Sequence, residues 1–169
     1  MSLKSQFRDL AAYNAWANRR LYDAAAGLSD ADYHRDVGAF FRSLSGTLNH
    51  IAVADVLWLQ RLTGQAFATV DRLDFVLADT LPGLRTARDE LDRRLTAMVD
   101  GFSDADLDAV AAYRTMTAGA ASNRRADMIQ HVFNHQTHHR GQAHVVLSLL
   151  RPGVEPPALD LIRFLNTRS

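Results

Sequence analysis

Apolar positions recur at steps of three and four along most of the chain, the period of amphipathic helices. Leu3, Phe7, Leu10, Asn14, Ala17, Leu21, Ala24 and Leu28 trace one stripe of a long first helix, and Gly27 suits its end. A second helix is expected from about Ser43 to Thr63, with Leu44, Leu48, Ile51, Asp55, Trp58 and Leu62 in one row. Thr47, His50, Ala54 and Leu57 form the neighbouring row, and Gly64 closes the helix. Residues 65–79 read as a connection. Thr80 and Pro82 open a third helix carrying Leu84, Arg88, Leu91, Leu95, Met98 and Phe102. Residues 103–121 read as a loop or short extended excursion. Ser122 or Asn123 then caps a fourth helix that runs to about Leu150, where Arg151, Pro152 and Gly153 stop it. A short helix carrying Leu159, Ile162 and Leu165 ends the pattern.

Four long amphipathic helices in one domain, residues 1–169, predict an all-α four-helix bundle with short extra helices. The links between the long helices exceed tight turns, so long crossover connections are permitted. The segment Gly27-Leu28-Ser29-Asp30-Ala31-Asp32 reappears as Gly101-Phe102-Ser103-Asp104-Ala105-Asp106, each after a long helix and before a His-bearing one. Two related helix-pair halves would explain the echo, and so would a shared helix-cap composition.

Composition removes whole classes of chemistry. The chain has no Cys, which excludes a disulfide scaffold, Cys-ligated metal and a protein thiol nucleophile. Its 19 basic and 19 acidic residues cancel, which argues against a nucleic-acid binder. The apolar stretches fall short of the roughly 20 residues a membrane helix needs. The opening residues show no apolar signal core, so a soluble cytoplasmic protein is expected.

Five of the seven His lie between His131 and His144. The row Met128, Val132, His135, His139, Gln142, Val146, Leu149 puts two of them where the pattern asks for Leu or Val. His135 and His139 stand about 40° apart around a helix and one turn along it, so both rings can reach one point. Burying an unpartnered polar ring costs roughly 1–3 kcal/mol, and two protonated neighbours repel. A divalent metal resolves both problems by binding neutral imidazole. His50, mid-way along the second helix among Thr47, Ala54 and Leu57, is the candidate third ligand. His131 with His135, and His135 with His138, also have chelating spacing, and hydrogen-bonded core histidines are the bland alternative. His34 and His144 look peripheral.

These residues resemble the DinB family of bacterial four-helix metalloproteins. The resemblance is carried by Leu48-Asn49-His50 with Asp55 and Trp58, by His135-Gln136-Thr137-His138-His139-Arg140-Gly141-Gln142, and by Tyr13-Asn14-Ala15-Trp16-Ala17-Asn18. It implies a divalent metal on three His that map to His50, His135 and His139, and a homodimer. It also implies, for some relatives, transferase or isomerase activity with a low-molecular-weight thiol. The lesion-bypass polymerase of the same name is unrelated.

Three imidazoles leave at least one position on the ion open, where a thiol or water is activated. Zinc is the first expectation, with nickel or iron compatible with imidazole. Only Glu90 and Glu155 are glutamates. The glutamate base of an H-E-x-x-H protease is therefore missing, Gln136 standing in its place, and a ferritin-like carboxylate site cannot be built. Gln142, Asn14 and Asp55 are the candidates to support the centre from behind. Asn14 alternatively fixes helix register, and Asp55 alternatively sits on the solvated surface. Arg140 is expected to brace the helix by pairing with an acid. The expected function is a metal-dependent transferase or hydrolase acting on a small-molecule substrate, with a low-molecular-weight thiol as cosubstrate in the transferase form. The competing function is a non-catalytic metal-binding, sensory or stress-related interaction bundle.

Overall fold

The fold is taken from a computed structural model that describes residues 2–65, 68–116 and 118–168. Positions 66 and 67 of the expected 65–79 connection, and position 117 of the 103–121 excursion, lie outside the described residues.

The long helices are α1 (Leu3–Ala25), α3 (Leu44–Thr63), α4 (Leu81–Gly101) and α6 (Arg125–Leu150), with short helices α2 (Asp30–His34), α5 (Asp104–Asp108) and α7 (Leu161–Asn166). Local chemistry sets most of the ends. Ser43 Oγ accepts from the Gly46 N–H at the start of α3, and Gly64 ends that helix with φ 73°. Thr80 caps α4, with Pro82 in its first turn. The repeated Ser-Asp-Ala-Asp segment caps α2 and α5 in the same way: Ser29 Oγ accepts from Asp32 N–H and Ser103 Oγ from Asp106 N–H.

The excursion is an antiparallel hairpin of β1 (Val110–Thr115) and β2 (Gly119–Arg124), in register from Val110 opposite Arg124 to Thr115 opposite Gly119. Because Ser122 and Asn123 are held in β2, α6 starts later than its expected cap, after Arg124 and without a side-chain cap.

α1 packs against α4 and α6, and α3 packs against the same two. Residue pairing gives the directions. Asp23 meets Arg85 and Arg8 meets Asp100, so α1 and α4 are antiparallel. Asp55 meets Gln136 while Trp58 meets His131, so α3 and α6 are antiparallel. Asn14 meets Arg140 and Ala24 meets Arg151, so α1 and α6 run the same way. The bundle is therefore up-down-down-up, with sequence-adjacent α1 and α3 on a diagonal and a crossover returning from α3 to α4.

Apolar rows of all four helices fill the centre, among them Phe7, Leu21, Leu48, Leu91, Leu95 and Ile129, each at most 1% exposed. The buried row of α6 follows the expected one at Met128, Val132 and Val146 but departs from it elsewhere. Leu149 is 57% exposed, whereas Gln136 (0%) and Arg140 (2%) occupy the centre. α6 is turned so that these two residues face inward, because the other helices offer them hydrogen-bonding partners. His135, His139 and Gln142 then run along the edge of the core, half-buried.

Candidate metal centre

α3 presents His50 and α6 presents His135 and His139 to a common point. One nitrogen from each ring lies within 4.8 Å of the others. The ring centroids are 4.5 Å apart for His50 and His139, 4.2 Å for His135 and His139, and 5.3 Å for His50 and His135.

Two contacts fix the tautomers. His50 Nδ1 lies 3.0 Å from the Leu73 carbonyl, which can only accept, so the proton sits on Nδ1. His139 Nδ1 lies 2.7 Å from Gln142 Oε1 and donates to it by the same logic. Gln142 Nε2 in turn donates to His138 Nε2 at 3.3 Å. In the neutral rings, Nε2 of His50 and Nε2 of His139 are then both bare acceptors, and they face each other at 3.3 Å. Two lone pairs at that distance repel unless a cation lies between them. Nitrogens bound at about 2.0–2.1 Å to one tetrahedral ion stand about 3.3 Å apart, so the spacing fits. His135 Nδ1 is also buried without a hydrogen-bond partner.

Burial favours the neutral rings that a metal requires. It holds His50 and His139 below the usual imidazole range. His135 is pushed down to about 3, first by burial and then by the neighbouring imidazoles. A donor set of imidazoles without carboxylate suits zinc, nickel or iron better than magnesium or calcium.

The surrounding chain supports these rings in ways the helix pattern did not reveal. Phe41 stacks on His50 at 4.0 Å and meets His139 edge-on at 5.7 Å. Its approach depends on Gly46, where a Cβ would fall 2.1 Å from the Phe41 carbonyl oxygen. The preceding turn forces Arg42 to φ 67°, an uncommon left-handed conformation for a long side chain. Leu73 is delivered by Asn49, whose Oδ1 accepts from Leu77 and Ala78 N–H and whose Nδ2 donates to Ala78 O. This clamp folds the connection after α3 back over His50.

Asn14 and Asp55 lie elsewhere, in a buried polar layer. Asp55 is 1% exposed rather than solvated. It pairs with Arg88 Nη1 at 2.7 Å and accepts from Gln136 Nε2. Its carboxyl is pushed up by burial, against the lowering pull of Arg88. Arg88 Nη2 also pairs with Asp92 at 3.0 Å, and Asp92 accepts from Asn14 and Asn18 at 3.0 Å. Arg140 donates to Asn14, Asn18 and Gln136, so it braces α6 through amide oxygens instead of an acid.

The remaining His stand outside the group of three, although His138 meets the His139 ring edge-on at 4.6 Å from the exposed side of α6. His131 packs on Trp58 at 4.7 Å, and its ring is 5.9 Å from that of His135. His34 bonds Asp30 and Asp79 carbonyls, and His144 the Pro157 carbonyl.

Comparison with known proteins agrees with this architecture. The chain is 25% identical over 142 residues to Protein DinB of Bacillus subtilis (strain 168), covering 80% of each. It superposes on the crystal structure of a DinB-like protein from Bacillus cereus ATCC 10987 with a TM-score of 0.65 at 18% identity, covering 87% of this chain and 91% of that one. The sequence model described as "DinB family" matches residues 1–168, and the chain belongs to that family.

Proposed function

We propose that the protein is a metal-dependent enzyme of the transferase or hydrolase type, with His50, His135 and His139 holding one divalent ion, zinc first and nickel or iron as alternatives. The carrying observation is the 3.3 Å approach of two bare Nε2 lone pairs. A divalent ion there supplies acidity to a thiol or a water, and so provides the nucleophile that a Cys-free chain lacks. The chain's own residues do the rest. Leu73 O and Gln142 Oε1 keep the protons on the far sides of His50 and His139. Phe41 covers the face of His50 and limits water on that side.

The substrate is a small cytoplasmic molecule, with a low-molecular-weight thiol as cosubstrate in the transferase form. The test is metal analysis of the purified protein, then turnover of bacterial thiols with electrophilic acceptors by the loaded protein and by His135→Ala. Turnover that survives His135→Ala defeats the mechanism. A large chelator-induced fall in melting temperature with no turnover on any acceptor favours a structural or sensory metal instead.

Assembly as a homodimer belongs to the same reading. It is supported by an apolar strip on the outer face of α6, where Val145 (58%) and Leu149 (57%) are exposed beside Phe40 (88%). Sedimentation of the wild type and Val145→Asp tests it, a monomeric wild type being the contrary result.

A further inference from the structure

Gln136 and Arg140 each follow a ring of the centre by one residue, so they point about 100° away from His135 and His139 around α6. Both are buried and both are tied to other helices. Gln136 reaches Asp55 on α3, and Arg140 reaches Asn14 and Asn18 on α1. Those asparagines donate to Asp92 on α4, and Arg88 joins Asp92 to Asp55. The circuit passes through all four long helices and closes on itself.

Apolar packing, with Met128, Ile129, Val132, Phe133, Val146 and Leu147 buried, sets the rotation of α6 only coarsely, because a second apolar side competes with it. Val145 and Leu149 on the same helix are exposed, so its circumference is apolar on two sides. Directional bonds from charged and amide groups set it finely, because each is lost within a small displacement. The tolerance at the centre is tight. A ring about 6 Å from the helix axis moves about 0.5 Å when the helix turns by roughly 5°. Metal–ligand distances tolerate only about 0.2 Å.

We propose that this buried circuit sets the rotation of α6 at which His135 and His139 meet His50. Gln136, Arg140 and Asn14 are then positioning residues for the metal centre. Asn14 is the telling member, because α1 carries none of the three rings and Asn14 acts on them only through Arg140. The inference rests on the metal reading above.

The experiment is titration of the full-length apo-protein with cobalt(II), read by visible d–d absorption, for wild type, Asn14→Leu, Gln136→Met and Leu107→Ala. Leu107 is 1% exposed, on α5, outside the circuit. Melting temperatures are measured alongside. The two circuit variants should bind cobalt roughly 10- to 100-fold more weakly and give altered bands. Leu107→Ala should melt at lower temperature yet keep the wild-type constant and spectrum. Circuit variants that lose stability but retain both readouts overturn the proposal. If Asn14→Leu does not fold, Asn14→Ser replaces it with the same criteria. A wild type that takes up no cobalt removes the metal reading and this inference together, whereas a binding wild type with unaltered variants removes this inference alone.

Discussion

Replacing Arg88 with Met isolates the energetics of the buried layer. Arg88 is 1% exposed, with Nη1 2.7 Å from Asp55 and Nη2 3.0 Å from Asp92. Methionine fills similar length but leaves two carboxylates, 1% and 7% exposed, without their shared cation. Breaking a buried pair from one side costs about 3–5 kcal/mol. Protonation limits the penalty. Taking up a proton at pH 7 against an ordinary carboxyl value near 3.9 costs about 4 kcal/mol, so a more expensive buried charge is neutralised instead. The expected loss is therefore about 4 kcal/mol, or a melting temperature lower by about 8–16 °C for a chain of this size. The pH dependence carries the diagnosis. Without Arg88 the Asp55 carboxyl rises further above its unfolded value, so the folded variant holds a proton that the unfolded chain releases. Its stability is then fully present below about pH 4 and is lost as pH rises toward the folded value, at about 1.4 kcal/mol per unit. Urea denaturation of wild type and Arg88→Met at pH 5 and pH 7 should show a deficit that narrows at the lower pH. Adding Asp55→Asn should recover a large part of it. A deficit below about 1 kcal/mol, or one independent of pH, refutes the account of Arg88 as the cation that both carboxylates require.

Gln142→Leu removes the acceptor that holds the proton on His139 Nδ1. It should weaken metal binding by roughly 10- to 100-fold in competition with a chromophoric chelator while sparing the fold, and an unchanged constant would count against the tautomer argument. Metal uptake at pH 7 should release less than one proton, because burial already favours the neutral forms of His50, His135 and His139 and leaves only a bound water to ionise in part. Calorimetry in two buffers of different ionisation enthalpy measures this, and release of a full proton contradicts it. The same shifts act on the apo-protein with a definite sign. The folded values lie below the unfolded value of 6.5, so the rings contribute stability that is present above pH 6.5 and lost as pH falls from there toward the His135 value of about 3. Urea midpoints should drop between pH 7 and pH 5 without metal, and a flat profile would contradict the burial.

The long helices and the pairing of His135 with His139 were legible because helical period alone places residues four apart on one face. His50 was legible as a mid-helix imidazole with small neighbours. Phe41 and Leu73 were not, since each is delivered by an irregular connection whose path depends on one residue, Gly46 for the first and Asn49 for the second. Asn14 stood out in the sequence as a polar interruption of an apolar row, and Asp55 and Arg88 fell in such rows on two other helices, although the sequence also allowed Asp55 a place on the solvated surface. Their shared layer was hidden, because pairing them requires the rotation of each helix. Period also misjudged that rotation for α6. It scored Leu149 as core, whereas hydrogen bonding drew Gln136 and Arg140 inward and left the imidazoles at the edge.

That edge position has an electrostatic consequence for function. The buried layer holds two acids, Asp55 and Asp92, and two bases, Arg88 and Arg140, so its charges cancel. The rings are neutral, and the group able to hold an ion contains no carboxylate. A divalent ion on three imidazoles would therefore have no anionic ligand among the described residues, at the half-buried edge of the core. Coulomb attraction at that position favours an anionic guest over a neutral one and acidifies whatever binds. A thiol gains more than water does from that field, because its ordinary value near 8.5 needs a shift of only about two units to be mostly ionised at neutral pH. With an ion bound as proposed, this charge arrangement would favour thiol transfer over hydrolysis.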